Sequence, residues 1–511
     1  MNRRMIISAA LGVVVGILVA FVAFKATEGV RRYRSEYGDW RKLNLVLDVI
    51  GRNYVDTVDF EKVSNAAIEA ALSSLDPHSV YMPPQELEES EDDLAGEFGG
   101  IGIQFNVPAD TAVVIEVIPG GPSEKIGVLA GDRILEVDGR NIAGVKFPQD
   151  SMVRAMRGPA GTKVAIKVKR SADVILFDIT RDKIPTHSID AAFMVSDSTA
   201  YLKLGKFSRT TVVEVATKLI ALSAEGMTGL VLDLRQNSGG FFDQALALSN
   251  LFLPKDAPIV YLEGRTRSRE DFKANGKGMF QGLRMCLLID EGSASSSEIF
   301  AGAMQDNGRA VIIGRRSFGK GLVQEPFNFT DGSGIRLTVS RFFTPSGRVI
   351  QKPYSDDYGY EVFQRYGTGE MMDADSIKAD SGGIIPDVFV PVDTTGVGPF
   401  YTACYRKATT MRFASAYVDT HRWELAAVGS FEELQRYLAS SSLESEFLRY
   451  AKSVDGLVPS ASEWSREKVY VTAQVEALVG RYSKLGDNAY YHLYLPVDKV
   501  FNKALEEITG R

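Results

Sequence analysis

A chain of 511 residues is too long for one hydrophobic core, so several domains are expected. With 45% apolar and 24% charged residues the composition is that of an ordinary globular protein, which excludes a disordered or fibrous one. A formal charge of −7 offers no basic field, and nucleic acid is excluded as a partner because its phosphates would be repelled. Two cysteines, Cys286 and Cys404, do not support a disulfide framework and are read as buried free thiols.

In chain order, Arg3-Arg4 precede twenty residues without charge, Met5 to Phe24, which as a helix span ~30 Å, one hydrocarbon core. A cleavable signal has a shorter apolar run of ~7–15 residues, so residues 1–25 are expected to be an uncleaved anchor in a cytoplasmic membrane with the bulk of the chain exported to the periplasmic side. Lys25, Arg31, Arg32 and Arg34 flank the far end and argue for the opposite orientation, but long domains translocate largely regardless of charge. Gly12 and Gly16 have a spacing that packs two such spans into a homo-oligomer, a spacing that also arises by chance in a run rich in Gly, Val and Ala.

From Trp40 to Leu72 apolar residues recur every three or four positions, which predicts two amphipathic helices closed by the turn Leu75-Asp76-Pro77-His78-Ser79. Short β-rich runs separated by glycine turns follow at Ile101–Phe105, Ala112–Ile118, Arg133–Val137 and Val164–Lys169. From about Ala200 strands alternate with helices: strand Tyr201–Leu204, helix Val212–Ala224, strand Leu230–Leu234, helix Phe242–Phe252, strand Met285–Ile289, helix Ser295–Gln305 and strand Val311–Ile313. That alternation predicts an α/β core with a largely parallel sheet. Beyond Pro391 the pattern is helical again.

In the β-rich region, Gly99-Gly100-Ile101-Gly102-Ile103 places glycines just before a strand. Successive backbone N–H groups there form a nest for an anion, the strand edge is open for pairing, and Ile101 and Ile103 line a pocket. Such a site suits the free carboxylate and apolar last residue of a peptide. Together with Val117-Ile118-Pro119-Gly120-Gly121-Pro122 and Gly127-Val128-Leu129-Ala130-Gly131-Asp132-Arg133-Ile134, the region resembles a protease-associated PDZ domain.

In the α/β core, Glu291-Gly292-Ser293-Ala294-Ser295-Ser296-Ser297-Glu298 turns from a buried strand into a helix. A serine at that turn sits beside the free N–H groups of the first helical turn, donors for a developing oxyanion; the bland reading is a helix N-cap. A hydroxyl nucleophile needs a base. Of the four histidines, His78, His187, His421 and His492, none lies in the strand–turn–helix core, though His187 is able to reach it through the fold. Lys320, between Gly319 and Gly321 ahead of an apolar strand, is the alternative, since a lysine whose pKa is lowered toward neutrality acts as base in Ser-Lys pairs.

The serine string, Phe318-Gly319-Lys320-Gly321-Leu322-Val323-Gln324 and Thr344-Pro345-Ser346-Gly347-Arg348, behind a PDZ-like domain, resemble the carboxyl-terminal processing (tail-specific) proteases over roughly Leu75 to Val390. The resemblance implies a fold with a crotonase- or caseinolytic-protease-like α/β core, an inserted β-rich PDZ domain and helical N- and C-terminal regions. It implies a serine endopeptidase for protein substrates with exposed apolar C-terminal tails, needing no metal or organic cofactor. Ser295, 25 positions ahead of Lys320, becomes the nucleophile, Lys320 its base and Gln324 the acceptor that holds the lysine amine. Leu232-Asp233-Leu234-Arg235-Gln236-Asn237-Ser238-Gly239-Gly240 resembles the glycine turn of the oxyanion hole, so Gly239 and Ser296 are the expected donors. Ser238 replaces a commoner proline, and the choice between Gly239 and Gly240 stays open. The expected domains are a helical region over 26–95, the PDZ domain over 96–183, the peptidase core over 184–400 and a C-terminal helical domain over 401–511. A PDZ adaptor on a dead core and a crotonase-like acyl-thioester enzyme are the rival readings. Intact Ser295, Lys320 and Gln324 weigh against the first, and the PDZ insertion together with the expected export signal weighs against the second.

Overall fold

The apolar runs that alternate with helices form one sheet in the computed structural model, which describes residues 40–108, 110–185, 187–354 and 382–510. Strands Thr199–Leu204, Gly229–Asp233, Arg284–Ile289, Val311–Gly314 and Val388–Phe389 pair in parallel in that order, and Ile189–Met194 adds antiparallel at one edge. These strands are apolar at nearly every position because both faces of the sheet are covered. Leu202, Leu230, Leu232, Leu287 and Ile312 pack on one face with helices Thr211–Ala224, Phe242–Phe252 and Ser296–Asp306. Tyr201, Val231, Cys286, Leu288 and Ile313 point the other way, against Val500, Phe501, Ala504 and Ile508 of the last helix, Lys499–Thr509. The helix that closes the core therefore comes from the expected C-terminal domain.

A second, antiparallel sheet joins Leu322–Asn328, Gly334–Phe343, Pro258–Gly264 and Arg267–Lys273. The β-rich region folds as a separate six-stranded sheet, Ile103–Asn106, Ala112–Val117, Arg133–Val137, Lys163–Arg170 and Asp173–Thr180 in order, with the short Arg140–Asn141 paired to Arg133–Val137 and helix Gln149–Met156 on it. Val114, Ile134, Ile166, Val168 and Met152 are its buried centre.

Helices Pro399–Arg406, Thr409–Ala427, Leu443–Asp455 and Ala461–Gly480 form a bundle around Phe400, Phe413, Phe447 and Val475. The bundle grips the six-stranded domain. Arg170 donates to both oxygens of the fully buried Asp132 at 2.8 and 2.6 Å, and Arg422 of the bundle approaches the same carboxylate at 3.3 Å. Arg422 also donates to the Ala130 carbonyl, and Arg133 pairs with Asp419. Gly131 lies so close that a Cβ there would stand 2.6 Å from Val418.

The chain divides into two units after Tyr81. In the first, helices Trp40–Asn53 and Phe60–Ser73 match the expected pair; Asp59 caps the second by accepting from Lys62 N at 3.1 Å, and Phe60 packs over Gly51. Asp76 accepts from the N–H groups of His78 and Ser79 at 2.8 and 2.7 Å, which makes the DPHS string a turn.

The expected membrane anchor, Met5–Phe24, lies outside the described residues. Among the described residues no helix is long and apolar enough to cross a membrane, and the expected placement across a cytoplasmic membrane is corrected on that finding. The two longest described helices, Thr409–Ala427 and Ala461–Gly480, carry Arg412, Asp419, Arg422, Glu467 and Lys468, charges that are costly in hydrocarbon. Both cysteines are free and buried, as expected.

Candidate functional site

Two strand ends of the core sheet supply the site. Strand Arg284–Ile289 runs into Asp290–Ala294, and strand Gly229–Asp233 runs into the glycine turn, residues 234–241. The turns are stitched together: the Asp290 carboxylate accepts from Gln236 N at 2.9 Å and Gln236 Nε2 at 2.7 Å, and Ser293 Oγ donates to the Leu234 carbonyl at 2.9 Å. Ala294 N and Ser297 Oγ both donate to the Asn237 carbonyl, at 3.0 and 2.9 Å. Behind the turn Asp233 is buried; although burial opposes its charge, the Arg235 and Lys203 cations hold its carboxyl well below the usual range.

Ser295 sits at the hinge between turn and helix with φ 54° and ψ −114°, a region that non-glycine residues rarely occupy. The glycine turn touches it: a Cβ on Gly239 would lie 2.8 Å from Ser295 Cβ and 2.9 Å from Ser296 N, so only glycine fits, and its φ of 99° requires the same residue. The Gly239 N–H, however, donates to Asn237 Oδ1 at 2.9 Å. Neither Gly240 N–H nor Ser296 N–H has a hydrogen-bond partner among the described residues. The two glycines between which the sequence left the choice open differ in this side-chain contact of Asn237, which spacing does not reveal.

Lys320 approaches from the second sheet. Gly321 allows the turn to press on Gln351, whose backbone N would be 2.5 Å from any Cβ there, and Lys320 Nζ donates to Gln324 Oε1 at 2.8 Å. A register shift between Val323 and Gln324 sets the glutamine's direction.

Glu298 joins the serine and lysine turns. It is fully buried, and its Oε2 accepts from Ser295 N at 2.8 Å and Lys320 N at 2.9 Å, while Oε1 accepts from Ser317 Oγ at 2.5 Å and Gly319 N at 2.7 Å. Burial pushes its carboxyl above the ordinary range, against four donor bonds that favour the charged form. In the sequence Glu298 stands only as a member of the serine string with no role assigned; the signal available was an acid three residues into a helix.

The histidines stand elsewhere. His187 is exposed, 4.0 Å from Glu214, and His421 and His492 stack on Tyr417 and Phe431. Among the described residues no three His, Cys, Asp or Glu side chains converge as a metal site.

In the six-stranded domain, Ile103–Asn106 is an edge strand and borders a groove of about 320 Å³ whose far wall is Gln149, Val153 and Met156. Gly100, Ile101, Gly102 and Ile103 line it; Gly99 instead packs on Gly158, whose N–H it accepts at 3.1 Å. The Ile101 and Gly102 N–H groups have no partner among the described residues, while the Ile101 carbonyl is held by Ser123 Oγ at 2.6 Å.

A strand–turn–helix core joined to a PDZ domain is the plan of a serine peptidase with a peptide-binding module. Residues 198–358 match peptidase family S41, 99–180 match the PDZ domain, 22–86 the activating protease CtpB N-terminal domain, and 400–483 a family of unknown function. A carboxy-terminal-processing protease of Bartonella bacilliformis is 35% identical over 64% of this chain and 79% of its own length. A probable CtpA-like serine protease of Staphylococcus haemolyticus is 32% identical over 66% of this chain and 69% of its own. A solved structure titled photosystem II D1 C-terminal processing protease is 24% identical, covering 68% of this chain and 92% of its own, with a TM-score of 0.37. The chain belongs to the carboxy-terminal processing proteases of peptidase family S41: it is a serine peptidase with a PDZ domain.

Proposed function

We propose that this peptidase recognises apolar C-terminal tails through its PDZ groove and cleaves its substrates with a Ser-Lys dyad. Neutral Lys320 takes the Ser295 proton, and the alkoxide attacks the scissile carbonyl. The oxyanion is held by Ser296 N–H and an N–H of the Gly239-Gly240 turn, where the free Gly240 N–H favours Gly240. The tetrahedral adduct collapses as Lys320 gives its proton to the leaving amine. Water then attacks the acyl-enzyme, losing a proton to Lys320, and Ser295 leaves with that proton as the acid product departs.

The observation that carries this reading is the single Glu298 carboxylate bonded to the backbones of both Ser295 and Lys320, with the Lys320 amine held on Gln324. The groove lined by Gly100 to Ile103, backed by Gly99, supports tail binding by an open edge strand and two free N–H groups. The same reading divides the chain into the helical region to residue 95, the PDZ domain over 96–183, the core over 184–400 and the C-terminal domain over 401–511.

The test is Lys320→Arg beside Ser295→Ala, assayed on casein. Arginine keeps charge and approximate reach and cannot become neutral, so both variants are expected to be inactive with folds intact by circular dichroism. A folded Lys320→Arg enzyme within about tenfold of wild type would remove Lys320 as base.

A further inference from the structure

The PDZ groove is not lined by the PDZ domain alone. Arg481, the residue that caps helix Ala461–Gly480 of the bundle, stands in the groove wall with Phe105, Asn106 and Ile115. Asn106 and Ile115 also border, together with Arg481, a small crevice beyond the groove, which places the arginine at the end of the edge strand farthest from the glycine nest. Its guanidinium is fixed from behind, since Nε pairs with Asp487 and its central carbon Cζ lies 5.4 Å from the centre of the Tyr490 ring. Neither Nη has a hydrogen-bond partner among the described residues, and the side chain is 24% exposed. The bundle that carries it is held on the PDZ domain by Asp132, Arg133 and Gly131, so the donors cannot swing away independently.

We propose that Arg481 is part of the tail-binding site and donates to a main-chain carbonyl of the substrate about four residues before its C-terminus. This rests on the tail-reading proposed above. The position follows from the strand: a peptide paired with Ile103–Asn106 advances ~3.3 Å per residue, so about four residues separate the nest from the arginine. A carbonyl is the acceptor rather than an acidic side chain, because Asp487 and Glu116 already face this guanidinium and leave no excess positive charge to select a carboxylate. The bundle thereby makes the groove longer than the PDZ domain could alone, and the enzyme measures the length of free tail as well as its last residue.

The experiment uses the whole protein carrying Ser295→Ala and labelled peptides of three and seven residues with the same apolar C-terminal sequence, each as free acid and as amide. Binding of the seven-residue acid is expected to weaken about tenfold in Arg481→Ala, the size of a lost charge-assisted bond, while the three-residue acid, which ends short of Arg481, binds unchanged. The unchanged short peptide also reports an intact nest. Arg481→Lys, which keeps a cation for Asp487 and so guards against misfolding, is expected to lose the same advantage because lysine has no second nitrogen to reach into the groove while the first is held on Asp487. Equal weakening of both peptides, or of neither, would overturn the role of Arg481. If acid and amide bind the wild-type groove equally, the tail-reading itself falls and takes this inference with it.

Discussion

At the scale of single residues, the proposed nucleophile is held where a side chain rarely goes. A non-glycine residue at positive φ costs about 1–3 kcal/mol, and the Ser295 backbone stays there because Glu298 grips its N–H while Gly239 leaves no room on the other side. Glu298 is thus a positioning group with two faces. In Glu298→Gln one oxygen becomes an NH2 that meets two donors, so either the Ser295–Lys320 pair or the Ser317–Gly319 pair loses its acceptor. The expected outcome is a kcat lower by about 10², with KM for tail peptides unchanged and a lower melting temperature from the buried mismatch. A fall in melting temperature with kcat preserved would reduce Glu298 to a structural tie.

At the scale of elements, the edge strand Ile189–Met194 has a register shift around Asp190, which places this acid beside Gly205 in a cavity of about 570 Å³ together with Lys203 and Asp487. Burial raises its carboxyl from 3.8 to about 6, with Lys203 opposing and Asp487 adding to the rise. Between those two values the folded chain holds a proton that the unfolded chain has lost, so stability falls as pH climbs through that window and is level above it. Asp190→Asn should therefore raise the melting temperature at pH 8 by about 3 °C and leave it nearly unchanged at pH 4. Equal shifts at both pH values would point to shape rather than charge.

The elements themselves were largely legible. Arg133–Val137 and Phe242–Phe252 have the ends expected, because a short β-rich run between glycine turns or a three-to-four apolar spacing leaves few alternatives. The Arg267–Lys273 strand was not: its residues are almost all charged and exposed, and only pairing with Pro258–Gly264 makes it a strand. The Asp190 shift, the Asn237 bond to Gly239 and the four bonds of Glu298 were hidden for a related reason. Each depends on which buried donors meet in space, and a motif reports only spacing.

At the scale of the whole molecule, residues 401–511 looked like one helical region with no chemistry of its own, yet they do two jobs. The bundle holds the PDZ domain, and Lys499–Thr509 covers one face of the core sheet. Sequence separation concealed both contacts, since Arg422 and Asp132 lie 290 positions apart.

One cysteine lies in the core strand beneath the last helix and the other in the bundle. Cys286 lies under the last helix, its Sγ 3.8 Å from the Ala504 carbonyl, and Cys404 lies in the bundle centre. Burial pushes both thiols up to about 12, so at pH 8 only about one in 10⁴ is a thiolate, and a labelling reagent must wait for local opening. The protein therefore carries two clocks. Arg422→Ala, which unpins the bundle, should speed labelling of Cys404 and leave Cys286 at its original rate, read by mass spectrometry of the two cysteine peptides. If the two thiols instead accelerate together, the bundle and the last helix open as a single cooperative unit, and loosening the hold on the PDZ domain would also uncover the core sheet from which the serine turn springs.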